Sequence, residues 1–217
     1  MTAPPIARLD HVSLREHAYA ALRDAFIRGA FAPGDTVSLR MLADQLGISL
    51  TPVREAVRRL VAEGALIDTR SRTLAVPPFD ADRARDLKQA RLALESLVLD
   101  QAMARIDAAG IAALETVVER PAADGPDLQA NYDFHFGLYR QSGSAVLLPL
   151  VEGLWVQYGA YLNRIIATPA AHKLPEHKHH RKIIAALRKG DRTAAQAALA
   201  RDIERSFRVI LPETGEK

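Results

Sequence analysis

Residues 42–57 read Leu42-Ala43-Asp44-Gln45-Leu46-Gly47-Ile48-Ser49-Leu50-Thr51-Pro52-Val53-Arg54-Glu55-Ala56-Val57, two helical patterns separated by a glycine. Ser38 stands where it can cap the first, Leu42 and Leu46 lie one turn apart on it, and Gly47 supplies the left-handed residue that ends a helix at least steric cost. The second pattern starts at Thr51-Pro52, a hydroxyl at the cap followed by a proline at the first helical position, where the missing N–H loses nothing. At about 100° per residue, Val53, Ala56, Val57 and Leu60 share one face, while Thr51, Arg54, Glu55 and Arg58 share the other. Two short helices joined by Gly47-Ile48-Ser49, the second with a basic outer face, predict a helix-turn-helix.

Outward from this core, the pattern continues in both directions. Between Ser13 and Gly29, Leu14, Ala18, Ala21, Leu22, Ala25 and Phe26 have the spacing of one buried helical stripe, and Ala32-Pro33-Gly34-Asp35 makes a turn. After Glu63-Gly64, two short extended segments, Ala65-Leu66-Ile67-Asp68 and Thr73-Leu74-Ala75-Val76, flank Thr69-Arg70-Ser71-Arg72, which reads as a β-wing with arginines at its tip. The paired prolines of Val76-Pro77-Pro78-Phe79-Asp80 force an extended segment and mark a linker at 77–79. This predicts a DNA-binding domain over 1–76 and a second domain over 80–217.

Beyond the linker no period of two is sustained. Six helical segments, roughly 80–105, 108–120, 127–142, 145–167, 174–189 and 191–211, are broken by Pro121 with Asp124-Gly125-Pro126, by Ser142-Gly143, by Thr168-Pro169 and by Gly190. Short connections between them predict an all-α antiparallel bundle, so the fold class is mostly α, a winged helix-turn-helix followed by that bundle.

Composition narrows the function. The 217 residues hold no Cys, which excludes disulfides, thiolate zinc sites and a Cys nucleophile, and 48% hydrophobic residues suffice for a core. No window approaches the roughly 20 apolar residues of a membrane span, and MTAPPIARLDHVSL lacks the apolar centre of a signal peptide, so a cytoplasmic protein without a membrane partner is expected. The net charge of +3 permits nucleic acid as a partner. Residues 1–78 use ten Arg and no Lys, and the planar guanidinium fork suits phosphates and guanine edges, although GC-rich coding favours Arg as well.

Several polar residues fall on apolar faces of the bundle. Asn131 and His135 are one turn apart beside Phe134 and Leu138; His180 shares a face with Ile183, Ile184 and Leu187; and Asp202 lies between Leu199 and Val209. Three helices can therefore bring them together, either as a hydrogen-bonded cluster or as donors to an ion. Arg91 sits in a stripe with Leu87, Leu94 and Val98 and needs a partner there, for which Glu95 at i+4 is the local choice. His172, His177 and His179 fall in a polar run with Lys173, Lys178, Arg181 and Lys182 and read as solvated, and Asp133 faces away from His135.

The stretch Ile27-Arg28-Gly29 to Pro33-Gly34-Asp35, then Leu42 to Ser49, then Thr51-Pro52-Val53-Arg54-Glu55-Ala56-Val57, resembles the winged helix-turn-helix of GntR-type transcriptional regulators. The bundle is similar to the FCD effector domain of the FadR-like branch, and six helices suggest the shorter VanR-like variant. The resemblance implies a homodimer that binds a palindromic operator in double-stranded DNA, commonly as a repressor, and senses a small organic acid. It also implies a DNA-facing set of Arg40, Ser49, Thr51, Arg54 and Arg58 with Arg70 and Arg72 of the wing. Two positions depart from the pattern: Leu50 stands where the family usually has a base-reading Arg, and Thr73 where the wing usually has glycine.

In the bundle, the resemblance aligns Asn131, His135, His180 and Asp202 with a metal set that is commonly one Asp and three His. Two imidazoles and a carboxylate still form a competent donor set for Zn, Ni, Mn or Fe, with the Asn carbonyl as a weak fourth donor; no organic cofactor is implied. Arg91 aligns with an arginine that holds the effector carboxylate, and Tyr132 and Asn163, with Arg140, Trp155 and Tyr158, are candidates to line the same cavity. Two other readings compete. A metal-dependent enzyme could be built on the three ligands, but no general base stands beside them and the DNA-binding module has no place in it. An architectural DNA-binder with a degenerate sensor fits the altered ligands and Leu50.

Overall fold

The computed structural model describes residues 11–69, 73–120, 127–166 and 177–211. The helix-turn-helix forms as the pattern requires. α1 is His11–Ile27, α2 is Leu39–Leu46 and α3 is Leu50–Ala62. Ser38 accepts a hydrogen bond from the Met41 N–H at 3.1 Å, and Gly47, at φ 65°, returns its N–H to the carbonyls of Ala43 and Asp44.

The start of α3 differs from the sequence reading. Its cap is Ser49, without a side-chain bond, and Thr51 and Pro52 already lie inside the first turn. The first-turn N–H groups all lack a helical acceptor, so proline is tolerated beyond the first helical position. Pro52, Val53, Ala56, Val57 and Leu60 are buried on its inner face.

α1 also buries a slightly different stripe. Ala18, Tyr19, Leu22, Phe26 and Ile27 are buried, whereas Leu14 is 38% exposed and Ala21 is exposed. The helix packs against α3 and the bundle helix α7 (Leu147–Ile166), and two neighbours require a broader face than one row of alanines and leucines gives. Tyr19 anchors the α3 side, its hydroxyl donating to Glu63 Oε1 at 2.7 Å beneath the Arg59 guanidinium, 3.7 Å from the ring centroid.

The wing is a three-stranded antiparallel sheet, β1 (Thr36–Val37), β2 (Ile67–Asp68) and β3 (Leu74–Ala75), in the order β1-β3-β2. Thr36 pairs with Ala75 and Asp68 with Leu74. β1 escaped the sequence reading because two residues carry no period. The extended segment expected from Ala65 shortens to Ile67–Asp68, since the N–H groups of Ala65 and Leu66 still bond the Leu60 carbonyl of α3.

Residues 76–80 carry neither helix nor strand, and six helices follow among the described residues: α4 (Ala81–Met103), α5 (Ala108–Val118), α6 (Leu128–Arg140), α7, α8 (Lys178–Lys189) and α9 (Arg192–Ile210). Asp80, Asp107, Asp127 and Asp191 cap α4, α5, α6 and α9, each accepting an N–H three residues on. α4 packs against α6, α7 and α9, so its inward residues see every major wall of the bundle.

α1 lies directly on α7. Arg23 pairs with Glu152 at 3.0 Å, and Arg83 donates to the Gly64 carbonyl at 2.7 Å and to Gln157 at 2.8 Å. Gly159 makes the approach possible, because a Cβ there would stand 1.8 Å from the Phe26 carbonyl oxygen. Gly159→Ala is therefore expected to destabilise the chain by about 1–3 kcal/mol as α1 is forced off α7. Gly153→Ala on the same helix meets nothing within 4 Å and should gain about 0.5–1 kcal/mol. Denaturant unfolding of the two variants checks the opposite signs; equal effects would mean that α1 does not need the close approach.

Candidate functional site

The surface expected to face DNA is the outer face of α3 with the start of α2. Arg40, Ser49, Thr51, Arg54 and Arg58 are all exposed, and Arg58 holds Glu55 at 2.8 Å across one turn, a surface pair of small energetic value. Leu50 is 44% exposed beside them. Arg54 and Arg58 line a cavity of about 400 Å³ together with Asp68 and Thr73 of the wing. Arg70 and Arg72 lie outside the described residues, as does His172.

The bundle interior holds the second cluster. His135 of α6, His180 of α8 and Asp202 of α9 are all buried. His135 Nε2 is 3.0 Å from Asp202 Oδ2, His180 Nε2 is 3.5 Å from the same oxygen, and the two Nε2 atoms are 3.3 Å apart. Donor atoms around a tetrahedral or octahedral ion at about 2.0–2.2 Å stand about 3–3.5 Å from each other, so this triangle has the size of one face of a metal site.

Proton bookkeeping makes the same point. Burial and the Glu95 charge raise Tyr139 well above the usual phenol range, so it keeps its proton, which it donates to Glu95 Oε2 at 2.5 Å. The Tyr139 oxygen can then only accept from His135 Nδ1, 3.0 Å away, which leaves Nε2 of a neutral His135 bare and facing a carboxylate. Burial pushes His180 down to about 4, against the pull of Asp202, so it is neutral at neutral pH. Burial raises Asp202, but the two imidazoles outweigh it and hold the carboxyl well below its usual range. Two imidazole nitrogens and a carboxylate oxygen turned on one point could hold a cation there. The residues present fit a divalent ion. Asn131, one turn before His135, is half-buried and was expected as a further donor.

The histidine cluster extends further than the sequence suggested. His177, expected to be solvated, is 8% exposed, and its Nδ1 lies 2.9 Å from His180 Nδ1. It caps α8 in the left-handed conformation, φ 58° and ψ 9°, which a residue with a Cβ adopts at a cost of about 1 kcal/mol or more. His179 is half-buried, while Lys178, Arg181 and Lys182 are exposed as expected. Asp133 does face away, to Arg120 at 2.6 Å.

Arg91 has both the local partner and an open donor. Its Nε donates to Glu95 Oε1 at 2.6 Å; the guanidinium carbon lies 4.2 Å from the Tyr158 ring centroid and 4.5 Å from that of Trp155; and NH1 is buried with no hydrogen-bond partner. Trp155 Nε1 donates to Glu95 Oε1 at 3.1 Å, so Glu95 is the common acceptor of Arg91, Tyr139 and Trp155. Tyr132 is buried edge-on to Trp155, and the Arg140 guanidinium reaches its hydroxyl at 3.5 Å. Asn163 is on α7, its side chain outside the described residues.

Glu95 takes the place expected for it beside Arg91, whereas Tyr139 and His177 were missed as members of this network. Tyr139 follows His135 by one turn and was legible; His177 was not, because a cap residue belongs to no helical period.

A helix-turn-helix with a wing, joined to a helical bundle that holds a buried polar centre, defines a DNA-binding regulator with a sensor-like second module. The described residues include no helix long and apolar enough to cross a membrane. Residues 14–74 match the model of bacterial regulatory proteins of the gntR family, and residues 86–205 match the FCD domain. The chain belongs to the GntR family of transcriptional regulators and carries its FCD domain. It is 27% identical to the HTH-type transcriptional regulator McbR of Escherichia coli K12, over 95% of this chain and 97% of that protein. The solved structure of E. coli McbR/YncC superposes with a TM-score of 0.84 at 27% identity, covering 94% of this chain and 99% of that one. The uncharacterized HTH-type transcriptional regulator BphR of Paraburkholderia xenovorans is 31% identical over 96% of this chain and 85% of its own length. The HTH-type transcriptional repressor GlaR of E. coli K12 is 25% identical over 88% of each.

The ion pair at the centre makes a stability prediction. Arg91→Leu strands Glu95, which is fully buried, and should cost about 3–5 kcal/mol in denaturant unfolding. Adding Glu95→Gln removes the stranded charge and should restore much of that loss. If the double variant is no more stable than the single one, the charge on Glu95 is not what Arg91 serves.

Proposed function

We propose that the chain acts as a homodimeric, cytoplasmic repressor that releases a palindromic operator when its bundle binds a small organic acid with the help of a divalent ion. The observation that carries the sensor reading is the buried triangle of His135, His180 and Asp202, one hydrogen-bonded path away from the unpartnered NH1 of Arg91. His135, His180 and Asp202 would hold the ion, and Asn131, one turn before His135, is proposed as a neutral fourth donor. When bound, the ion supplies positive charge that attracts a carboxylate.

The chain's own residues do the rest. Arg91 offers a buried guanidinium donor with no protein partner, suited to a carboxylate oxygen, while Trp155, Tyr158 and Tyr132 give the surroundings an apolar, aromatic character. Asn163 is proposed to line the same space. The path to DNA runs through α7. Trp155 on this helix contacts both Arg91 and Glu95, while Glu152 and Gly159 on the same helix hold α1. An effector that prefers one arrangement of α7 shifts the population of α1 positions, and with it the spacing of two reading heads.

The repressor sign draws on the name of GlaR, and the dimer on the family together with exposed Leu97, Val146 and Leu150 on the bundle. A regulator rather than an enzyme is favoured because the relatives are named transcriptional regulators. The domain boundary is placed in 77–79, between the wing and α4.

Arg40, Ser49, Thr51, Arg54 and Arg58, with Arg70 and Arg72 of the wing, are proposed to face DNA. Arg54→Ala should weaken specific operator binding by about 1–3 kcal/mol, the worth of one good base contact, with the melting temperature unchanged. Fluorescence titration at fixed salt decides it, and unaltered affinity removes Arg54 from the interface.

Metal analysis after dialysis tests the sensor centre. Wild type should retain about one divalent ion per chain, and His135→Ala/His180→Ala none. Metal held at about 100 times its Kd should add roughly 2.7 kcal/mol of stability to wild type only. Equal metal content in the two proteins, together with a melting temperature indifferent to chelator, would leave the histidines as packing residues.

A further inference from the structure

His177 has no part in the donor triangle, yet the fold spends an unfavourable backbone conformation on it. A helix cap ordinarily sits in the extended region; where a positive φ is needed glycine is the usual occupant, and Asn, Asp and His are the commonest residues with a Cβ. Here a histidine takes φ 58° and turns its ring inward, where it is buried against the far side of His180. Backbone strain at a buried imidazole points to a task for that imidazole.

The task follows from the two nitrogens of His180. Its Nε2 faces Asp202 and His135, and its Nδ1 faces His177 Nδ1 at 2.9 Å. One of the two Nδ1 atoms must donate and the other accept. If His177 donates, the His180 proton sits on Nε2 and blocks the triangle. If His180 donates, Nε2 carries its lone pair into the triangle and His177 keeps its own proton on Nε2. Phe134 stacks on the His180 ring at 4.1 Å and 16°, which fixes the ring plane but says nothing about the proton. His135 receives the matching service from Tyr139 and Glu95.

We infer that His177 is a positioning residue for a divalent cation in the bundle, accepting the Nδ1 proton of His180 so that both imidazoles present bare Nε2 atoms beside Asp202. The inference rests on the metal reading above and deepens it. Outer hydrogen-bond partners of this kind set the tautomer and basicity of a ligating histidine, and their loss usually weakens metal binding 10- to 100-fold. The role also accounts for the histidine at this cap: glycine would suit the backbone better but could not accept the proton.

The test uses the full-length protein with Zn2+ and Co2+ as probes, in competition with a chromophoric chelator. His177→Gly suits the left-handed backbone and removes the acceptor; His177→Asn tolerates the same backbone and keeps a shorter acceptor. His177→Gly should bind both ions about 10- to 100-fold more weakly than wild type and shift the Co2+ absorption bands, and His177→Asn should lie between the two. The rise in melting temperature on adding Zn2+ should shrink in the same order. Affinity in His177→Gly within twofold of wild type overturns the inference, and so does an equal loss in both variants, which would mark a packing role. If His177→Gly does not fold, His177→Asn against wild type carries the same comparison. A wild type that binds neither ion overturns the metal reading together with this one, whereas tight binding in wild type and in both variants removes His177 alone.

Discussion

The buried pair Arg91–Glu95 organises the bundle. Both residues belong to α4, which packs against α6, α7 and α9, and Glu95 gathers hydrogen bonds from Tyr139 of α6 and Trp155 of α7 as well as from Arg91. The Arg91 guanidinium faces the rings of Trp155 and Tyr158 on α7 and Phe207 on α9. A charge in an apolar core is tolerated only if its donors and acceptors are met, so the helices around α4 are constrained to the places where they meet them. The geometry of the histidine cluster is downstream of that constraint, because Tyr139 passes it to His135.

The polar chain continues from Glu95 through Tyr139 and His135 to the triangle with Asp202 and His180, and reaches His177. It therefore joins the two features proposed for effector binding, the free donor of Arg91 and the cation centre, by direct contacts. On the other side of Trp155, α7 carries the contacts to α1, where Gly159 lets backbone meet backbone without an intervening side chain. Such a contact has little slack, since close-packed backbone atoms cannot absorb a shift of α7 as a long side chain would. The proposed coupling between bundle and reading head thus needs only a small displacement at Trp155.

The family assignment sharpens the meaning of the positions that depart from it. Asn131 and Asp202 stand where the resemblance implies Asp and His, yet the triangle closes through Asp202 at 3.0 and 3.5 Å from the two imidazoles. The anionic donor has moved from α6 to α9, and the total charge of the donor set is kept. Leu50 changes the reading head in a different way: it leaves an exposed apolar side chain beside Thr51 and Arg54, so base recognition at that point cannot come from a guanidinium.

The helix-turn-helix and the six bundle helices were legible in the sequence because both are written in local signals: a serine cap before Leu42, a left-handed Gly47, a proline in the first turn of α3, and an apolar repeat of 3.6 residues. That repeat also assigned His135, His180, Asp202 and Arg91 to inward faces, since a helical period states which side of a helix a residue occupies. It states nothing about depth, partners or residues outside the period. β1 was invisible because two residues have no period, and its strand exists only through pairing with β3. Tyr19 and Ile27 replaced Leu14 and Ala21 in the core because α1 has two neighbours, a fact of packing. Whether the histidines meet, how far apart their nitrogens stand, and whether a cap residue in a run of lysines and arginines turns inward were decided by tertiary structure alone, since these depend on distances between side chains of helices far apart in the chain.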